Sequence, residues 1–175
     1  MQSVIANQTP SVRTVILNQA EMKLARYIAE SRQRTNRASE TVNQLRANAD
    51  PVEKEMLGVA GELAFCRLFN CYPDLTTTNR SKQCGEDSGD CYVAGVGWVD
   101  VKTKSQPGDL LIVTPTAPSG HWFAVMIGTP PTFYFAGAIP QVRALNQKYL
   151  KQIRTGLHYI IPPSDWLPDF KLPKV

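Results

Sequence analysis

Apolar residues recur at helical spacing over the first part of the chain and at strand spacing over the middle. From about Val12 to Arg34 the positions Val15, Ile16, Ala20, Leu24, Tyr27 and Ile28 predict an amphipathic helix, with Arg26, Arg32, Arg34 and Arg37 gathered toward its end. The eleven or so residues before it are polar and read as loose, and Thr35 to Ala49 read as a second helix anchored by Val42 and Leu45. The next helix has sharper punctuation. Asp50 is placed to cap it, Pro51 takes the first helical position, and Glu53 can close a capping box. It is predicted to run to about Phe69 or Asn70, before Pro73. Met56, Val59, Ala60, Leu63, Ala64, Phe65 and Leu68 give it a broad apolar surface, and Gly58 and Gly61 allow a close neighbour. Glu62 interrupts that surface. A buried carboxylate without a partner is costly, so Glu62 either pairs with a core arginine or points into a polar cluster.

Pro73 to Asp90 is polar and predicts a loop. Strands are then expected at Asp90–Val93, Trp98–Lys104, Leu110–Thr114, His121–Ile127 and Thr132–Phe135, the first two joined by a turn over Ala94–Gly97. Such close spacing predicts a mainly antiparallel or mixed sheet with helices over one face. Gln141 to Arg154 reads as a short basic helix carrying Val142, Leu145, Tyr149, Leu150 and Ile153. The proline-broken segment after it, from His158, predicts an edge strand and a coil anchored by Trp166. Residues 1–175 are read as one domain: a helical N-terminal extension over 1–49, a motif-bearing core over 50–136, and a C-terminal helix and proline-rich tail over 137–175.

Charge adds a pattern. The net charge of +4 hides an uneven distribution: residues 1–50 hold seven Lys/Arg against four Asp/Glu, residues 51–105 six against eight, and residues 106–175 six against three. An acidic middle between basic ends suits carboxylates that collect a cation amid groups that hold phosphates. The four cysteines, Cys66, Cys71, Cys84 and Cys91, with no signal-peptide pattern at the start, lead to the expectation of a reduced, cytoplasmic protein, in the host cytoplasm if virus-encoded. Their spacings do not match a Cys-x-x-Cys site, so structural zinc is not expected. No apolar run is long enough to cross a bilayer, and no membrane partner is expected.

The chemistry-bearing pattern is Glu62 on the capped helix, Asp90 opening a strand, and Asp100-Val101-Lys102 on the next, with Gly95 and Gly97 in the turn between. A strand alternates its faces, so Asp100 and Lys102 point the same way, and Lys104 with them. This ordered set resembles the PD-(D/E)XK nuclease superfamily, over roughly Asp50 to Phe135. The proline of the family's name is absent, Gly89 standing before Asp90, and both Asp87 and Asp90 remain open for the second acidic position. The resemblance implies an α/β restriction-endonuclease-like fold, a mixed sheet flanked by helices with one or more extra N-terminal helices. It also implies a metal-dependent deoxyribonuclease, endo- or exonucleolytic, with Glu62, Asp90, Asp100 and Lys102 as catalytic residues. Mg²⁺, with Mn²⁺ able to substitute, would be held by Asp90, Asp100, the Val101 carbonyl and Glu62. The partner would be DNA, and a homodimer is allowed. Lys102 would orient or deprotonate the attacking water. With an ordinary pKa of about 10.4 it must be lowered by burial to act as a base, or the cation must do the activation.

Two other classes fit the sequence. A DNA-binding or structural protein that keeps the fold without turnover accounts for the basic ends and predicts salt-sensitive, metal-independent binding. A protein-interaction module predicts an exposed apolar patch around Trp122 and Phe133. Trp98, Trp122, Phe123, Tyr134 and Trp166 are read first as packing residues and second as surfaces for base stacking.

Overall fold

Asn18 decides where the first helix begins. Its Oδ1 accepts from the Glu21 amide at 2.9 Å while Glu21 Oε2 accepts from the Asn18 amide at 2.6 Å. This reciprocal box starts α1 at Gln19 and carries it to Ala38 in the computed structural model, which describes residues 13–38, 50–77, 89–115 and 121–168. The helix expected from Val12 is therefore corrected. Thr14–Ile16 is a strand, β1, in which only Val15 is buried. Three β-branched residues ahead of a strong cap favour an extended segment over a helical turn. α1 absorbs the start of the second helix expected over Thr35–Ala49, and residues 39–49 lie outside those described.

The helix α2, Pro51–Phe69, matches its sequence boundaries. Asp50 accepts from the Val52 amide at 2.9 Å, and Asn70 ends the helix in the left-handed region at φ 50°. Glu53 reaches Arg26 of α1 at 3.1 Å, a contact absent from the capping-box reading. The strands β2 (Cys91–Val93), β3 (Gly97–Lys104), β4 (Leu111–Val113), β5 (Trp122–Thr129) and β6 (Thr132–Pro140) follow. The main sheet has five strands in the order β1-β6-β5-β3-β2. β3 and β5 are parallel and the other neighbours antiparallel, so the sheet is mixed.

The C-terminal quarter differs from its sequence reading. The helix α3 spans only Gln141–Ala144, a 3-10 turn follows at Gln147–Tyr149, and Leu150–Ile153 is a strand, β7. Asn146 turns its side chain onto the Lys148 amide at 3.0 Å, competing with helical continuation, and Gly156 at φ +121° reverses the chain into β8, Gly156–Ile161. β8 is not an edge strand. It lies between β4 and β7 in a second, three-stranded sheet.

Strand parity divides the interior into two layers. Val99, Val101, Ala124 and Met126 face α2 with Val59, Ala60, Leu63 and Phe65. Phe123, Val125 and Ile127 face the opposite way, onto Leu111, Ile161, Tyr149 and Trp166. β5 is covered on both sides, which explains its unbroken apolar run. α2 packs tightly on β3 at Gly61, where any Cβ would collide with Thr103 Oγ1. Trp166 anchors the tail as expected, buried beside the bridge between Ala138 and Leu167. Phe133 is fully buried and Trp122 half-buried against the α2-side core, so the exposed patch expected around them is not formed. None of the described helices is long and apolar enough to cross a membrane.

Candidate active site

The hairpin is short on one side. β2 pairs with β3 only through Cys91↔Val99, Tyr92↔Trp98 and Val93↔Gly97, so β3 runs on from Asp100 without a β2 partner. Asp90 occupies the point of departure. Its amide donates to the Val99 carbonyl at 2.9 Å, and its Oδ2 accepts from the Val101 amide at 2.7 Å. The side chain takes the acceptor place that a longer β2 would have supplied. Gly89 makes this possible: at φ +57° the chain swings under β3, and a Cβ there would stand 2.9 Å from the Val99 carbonyl oxygen. A glycine before Asp90 is thus a requirement of this backbone.

Asp100 and Lys102 leave β3 together and form an ion pair, Lys102 Nζ to Asp100 Oδ1 at 2.6 Å. They emerge on the face of Phe123 and Val125, their register partners on β5. Glu62 comes from the other layer, on α2. Lys102 and Glu62 therefore stand in opposite layers, contrary to the convergence expected of them, and what links the four groups across the edge of β3 is their electrostatic influence on one another. Their mutual influence shows in the charge balance. Burial, with Glu62 and Asp100 beside it, holds the Asp90 carboxyl well above the usual carboxylate range, against the opposing pull of the Val101 amide and Lys102. Burial works against the Lys102 charge, but Asp100, Asp90 and Glu62 outweigh it and hold the ammonium above its ordinary range. This balance runs against the first of the two routes left open, a lysine lowered by burial to act as a base.

Glu62 takes the first of the two readings made of it, a pairing with an arginine. It is buried and contacts Arg32, with Nη1 3.4 Å and Nη2 3.5 Å from its Oε2, and its charge also reaches Asp90 and Lys102. Arg32 also reaches Glu55 at 3.4 Å and the carbonyls of Asp74 and Thr76 at 3.2 Å each. The sequence places Arg32 among the four arginines gathered toward the end of its helix. Its only distinguishing signal is its position on the helix that must cover Glu62. Val101 is seen to contribute its amide, through Asp90, and its side chain enters the α2-side core. Asp87 lies outside the described residues. Lys104 follows on the face of Lys102, and burial first, then the nearby ammonium groups of Lys102 and Lys54, lower its pKa against the pull of Asp109.

Three carboxylates around one edge are hard oxygen donors of the kind that hold Mg²⁺ or Mn²⁺. A divalent cation beside Asp90 would favour its charged form against the burial and the neighbouring carboxylates that raise its pKa, so the chemistry of these donors suits such an ion. Residues 8–119 match a family of unknown function (DUF5843), and the chain belongs to that family. No curated protein and no solved structure matches the chain.

Proposed function

We propose that this member of DUF5843 is a divalent-metal-dependent deoxyribonuclease of restriction-endonuclease-like architecture. The observation that carries the reading is Asp90 seated on the Val101 amide where β3 outruns β2, with the Asp100–Lys102 pair beside it and the Glu62 charge reaching the same edge. Asp90, Asp100 and the Val101 carbonyl would hold Mg²⁺, with Glu62 behind them, and the bound ion would supply Lewis acidity toward a phosphate oxygen and the attacking water. The protein's own groups do the rest. Lys102, held as an ammonium, neutralises charge developing on the phosphoryl oxygens and does not take a proton. Asp100 fixes that ammonium in place. Lys104 and Lys54 extend the positive rim along which a phosphate backbone can lie. Tyr92 and Trp98, partly exposed and edge-to-face at 5.4 Å on the same hairpin, offer rings for a neighbouring base.

The test is incubation of the full chain with linear, nicked, branched and circular DNA, with and without Mg²⁺ or Mn²⁺. Cleavage is expected only with metal, and Asp100→Asn should slow it by roughly 10²–10³-fold, the usual cost of losing one electrostatic group at a reacting phosphate or carbonyl. Absence of cleavage of every substrate by concentrated protein removes the enzyme. If DNA still binds in a salt-sensitive, metal-independent way, the non-catalytic DNA-binding reading takes its place.

A further inference from the structure

The sulfur atoms of Cys66, Cys71 and Cys91 all lie within 4.8 Å of one another, and all three thiols are free of disulfides. They come from three places in the fold. Cys66 is buried in the last turn of α2, Cys71 follows the Asn70 cap and keeps partial exposure, and Cys91 is buried as the first residue of β2. Backbone contacts fix their relation. The Cys71 amide donates to the Cys66 carbonyl at 2.9 Å, and Pro73 bridges to Cys91, drawing the post-helix segment onto the strand.

Three free thiols, two of them out of water, bring soft sulfur donors to one point. A small apolar side chain would fill each position without leaving weak, mutually competing donors. Their geometry matches a different use. Three sulfurs bound to a tetrahedral ion at about 2.3 Å stand about 3.8 Å apart, within the span seen here. The expectation against structural zinc came from spacing along the chain, where cysteines in close pairs were sought. The fold supplies the ligands by convergence instead.

We propose that Cys66, Cys71 and Cys91 form a three-thiolate site for a thiophilic d¹⁰ cation, Zn²⁺, clamping the end of α2 to the start of β2. The partly exposed Cys71 side is open for a fourth ligand. Soft sulfur donors select such an ion over Mg²⁺, so this site and the carboxylate edge are chemically distinct, and the proposal stands without the nuclease reading. Deprotonation of the three thiols on binding releases protons, and the ion adds a tie between the end of α2 and the start of β2 to the Pro73–Cys91 bridge that already joins them.

The experiment is a titration of the reduced, full-length, metal-free protein with Co²⁺ as the spectroscopic probe. One equivalent is expected to give thiolate-to-cobalt charge-transfer absorption in the near ultraviolet and the intense visible bands of a tetrahedral ion, both abolished by one equivalent of Zn²⁺. Asp100→Asn should keep those bands. Cys71→Ser, the change at the least buried ligand, should weaken Co²⁺ binding by at least about 100-fold, beyond the 10–100-fold that outer-sphere partners are worth, and Cys91→Ala should do the same. Weak octahedral bands only, bands that survive in both cysteine variants, or a freshly purified protein whose mass shows a disulfide and which takes up no Co²⁺ after reduction would each overturn the proposal.

Discussion

Asp90 and Cys91 are adjacent in the chain, yet they belong to opposite kinds of chemistry. Asp90 feels the charges of Glu62, Asp100 and the Lys102 ammonium, at an edge open enough to leave Lys102 and Asp100 partly exposed. Cys91 turns inward to Cys66 and Cys71 against the core under α2. The difference teaches how one backbone reversal can serve two sites. Gly89 brings the chain under β3, the strand's alternation sends successive side chains apart, and α2 lends a residue to each group, Glu62 to the oxygens and Cys66, one helical turn later, to the sulfurs. The oxygen set carries repulsion that Arg32 and Lys102 answer in part, while the sulfur set is buried at two of its three members and its thiols lower the pKa of the third, Cys71. Perturbing one without the other is therefore feasible.

The largest expected effect falls on the oxygen side. Arg32 and Glu62 are mostly shielded from water, with side chains 16% and 12% exposed. Arg32→Met removes the guanidinium from Glu62, Glu55 and two main-chain carbonyls at once. Breaking a buried pair by deleting one partner costs about 3–5 kcal/mol, to be read from urea denaturation, and Glu62→Gln in the same background should recover part of it. The thiolate–cobalt bands of the folded fraction should not change. Loss below about 1 kcal/mol would show that Glu62 draws its compensation from the Lys102 side, making the oxygen cluster self-sufficient.

Gly61 tests the shared element. Because Thr103 occupies the space a Cβ would need, Gly61→Ala must push α2 away from β3, at about 1–3 kcal/mol for overpacking a filled interface. Thr103→Ala should restore part of the loss. Since α2 bears both Glu62 and Cys66, the variant should weaken Mn²⁺ binding at the edge and Co²⁺ binding at the thiols together. A change in one alone would mean that the two sites are not positioned by the same helix contact.

How much of this was legible beforehand follows from the range of each interaction. α2 and the β2–β3 hairpin were readable because Asp50, Pro51, Gly95 and Gly97 act on their own neighbours. The start of α1 was misread because Val15 and Ile16 fit a helical stripe as well as a strand, and only the Asn18–Glu21 box separates them. The β7–β8 hairpin was misread for a similar reason: Leu145, Tyr149 and Ile153 fall at helical spacing, but their burial comes from a second sheet that includes β4, far back in the chain. Arg32 and the cysteine trio escaped because their significance lies wholly in contacts across 20 residues or more, from 32 to 62 and from 71 to 91. Sequence spacing reports local partners and is silent on those.

The smallest effect is the most selective, and its sign runs against intuition for a residue at a candidate active site. The Asp90 carboxyl is held above the pKa of about 3.9 it has in an unfolded chain. Between those two values the folded state binds more protons than the unfolded one, so stability falls as pH rises through that window and stays lower above it. Asp90→Asn keeps an oxygen to accept the Val101 amide but has no charge to bury beside Glu62 and Asp100. In chelator, at neutral pH, it should therefore melt higher than the parent, by about 2–4 °C, the shift that 1 kcal/mol gives a chain of this size. The gain should vanish below about pH 3.9, where Asp90 is protonated in both states. Adding Mg²⁺ should raise the melting temperature of the parent and leave the variant unmoved, while the cobalt–thiolate bands of the two proteins coincide. A variant that melts lower at neutral pH would mean that Lys102 and the Val101 amide already compensate the charge fully, and the edge would then have no electrostatic need of a cation.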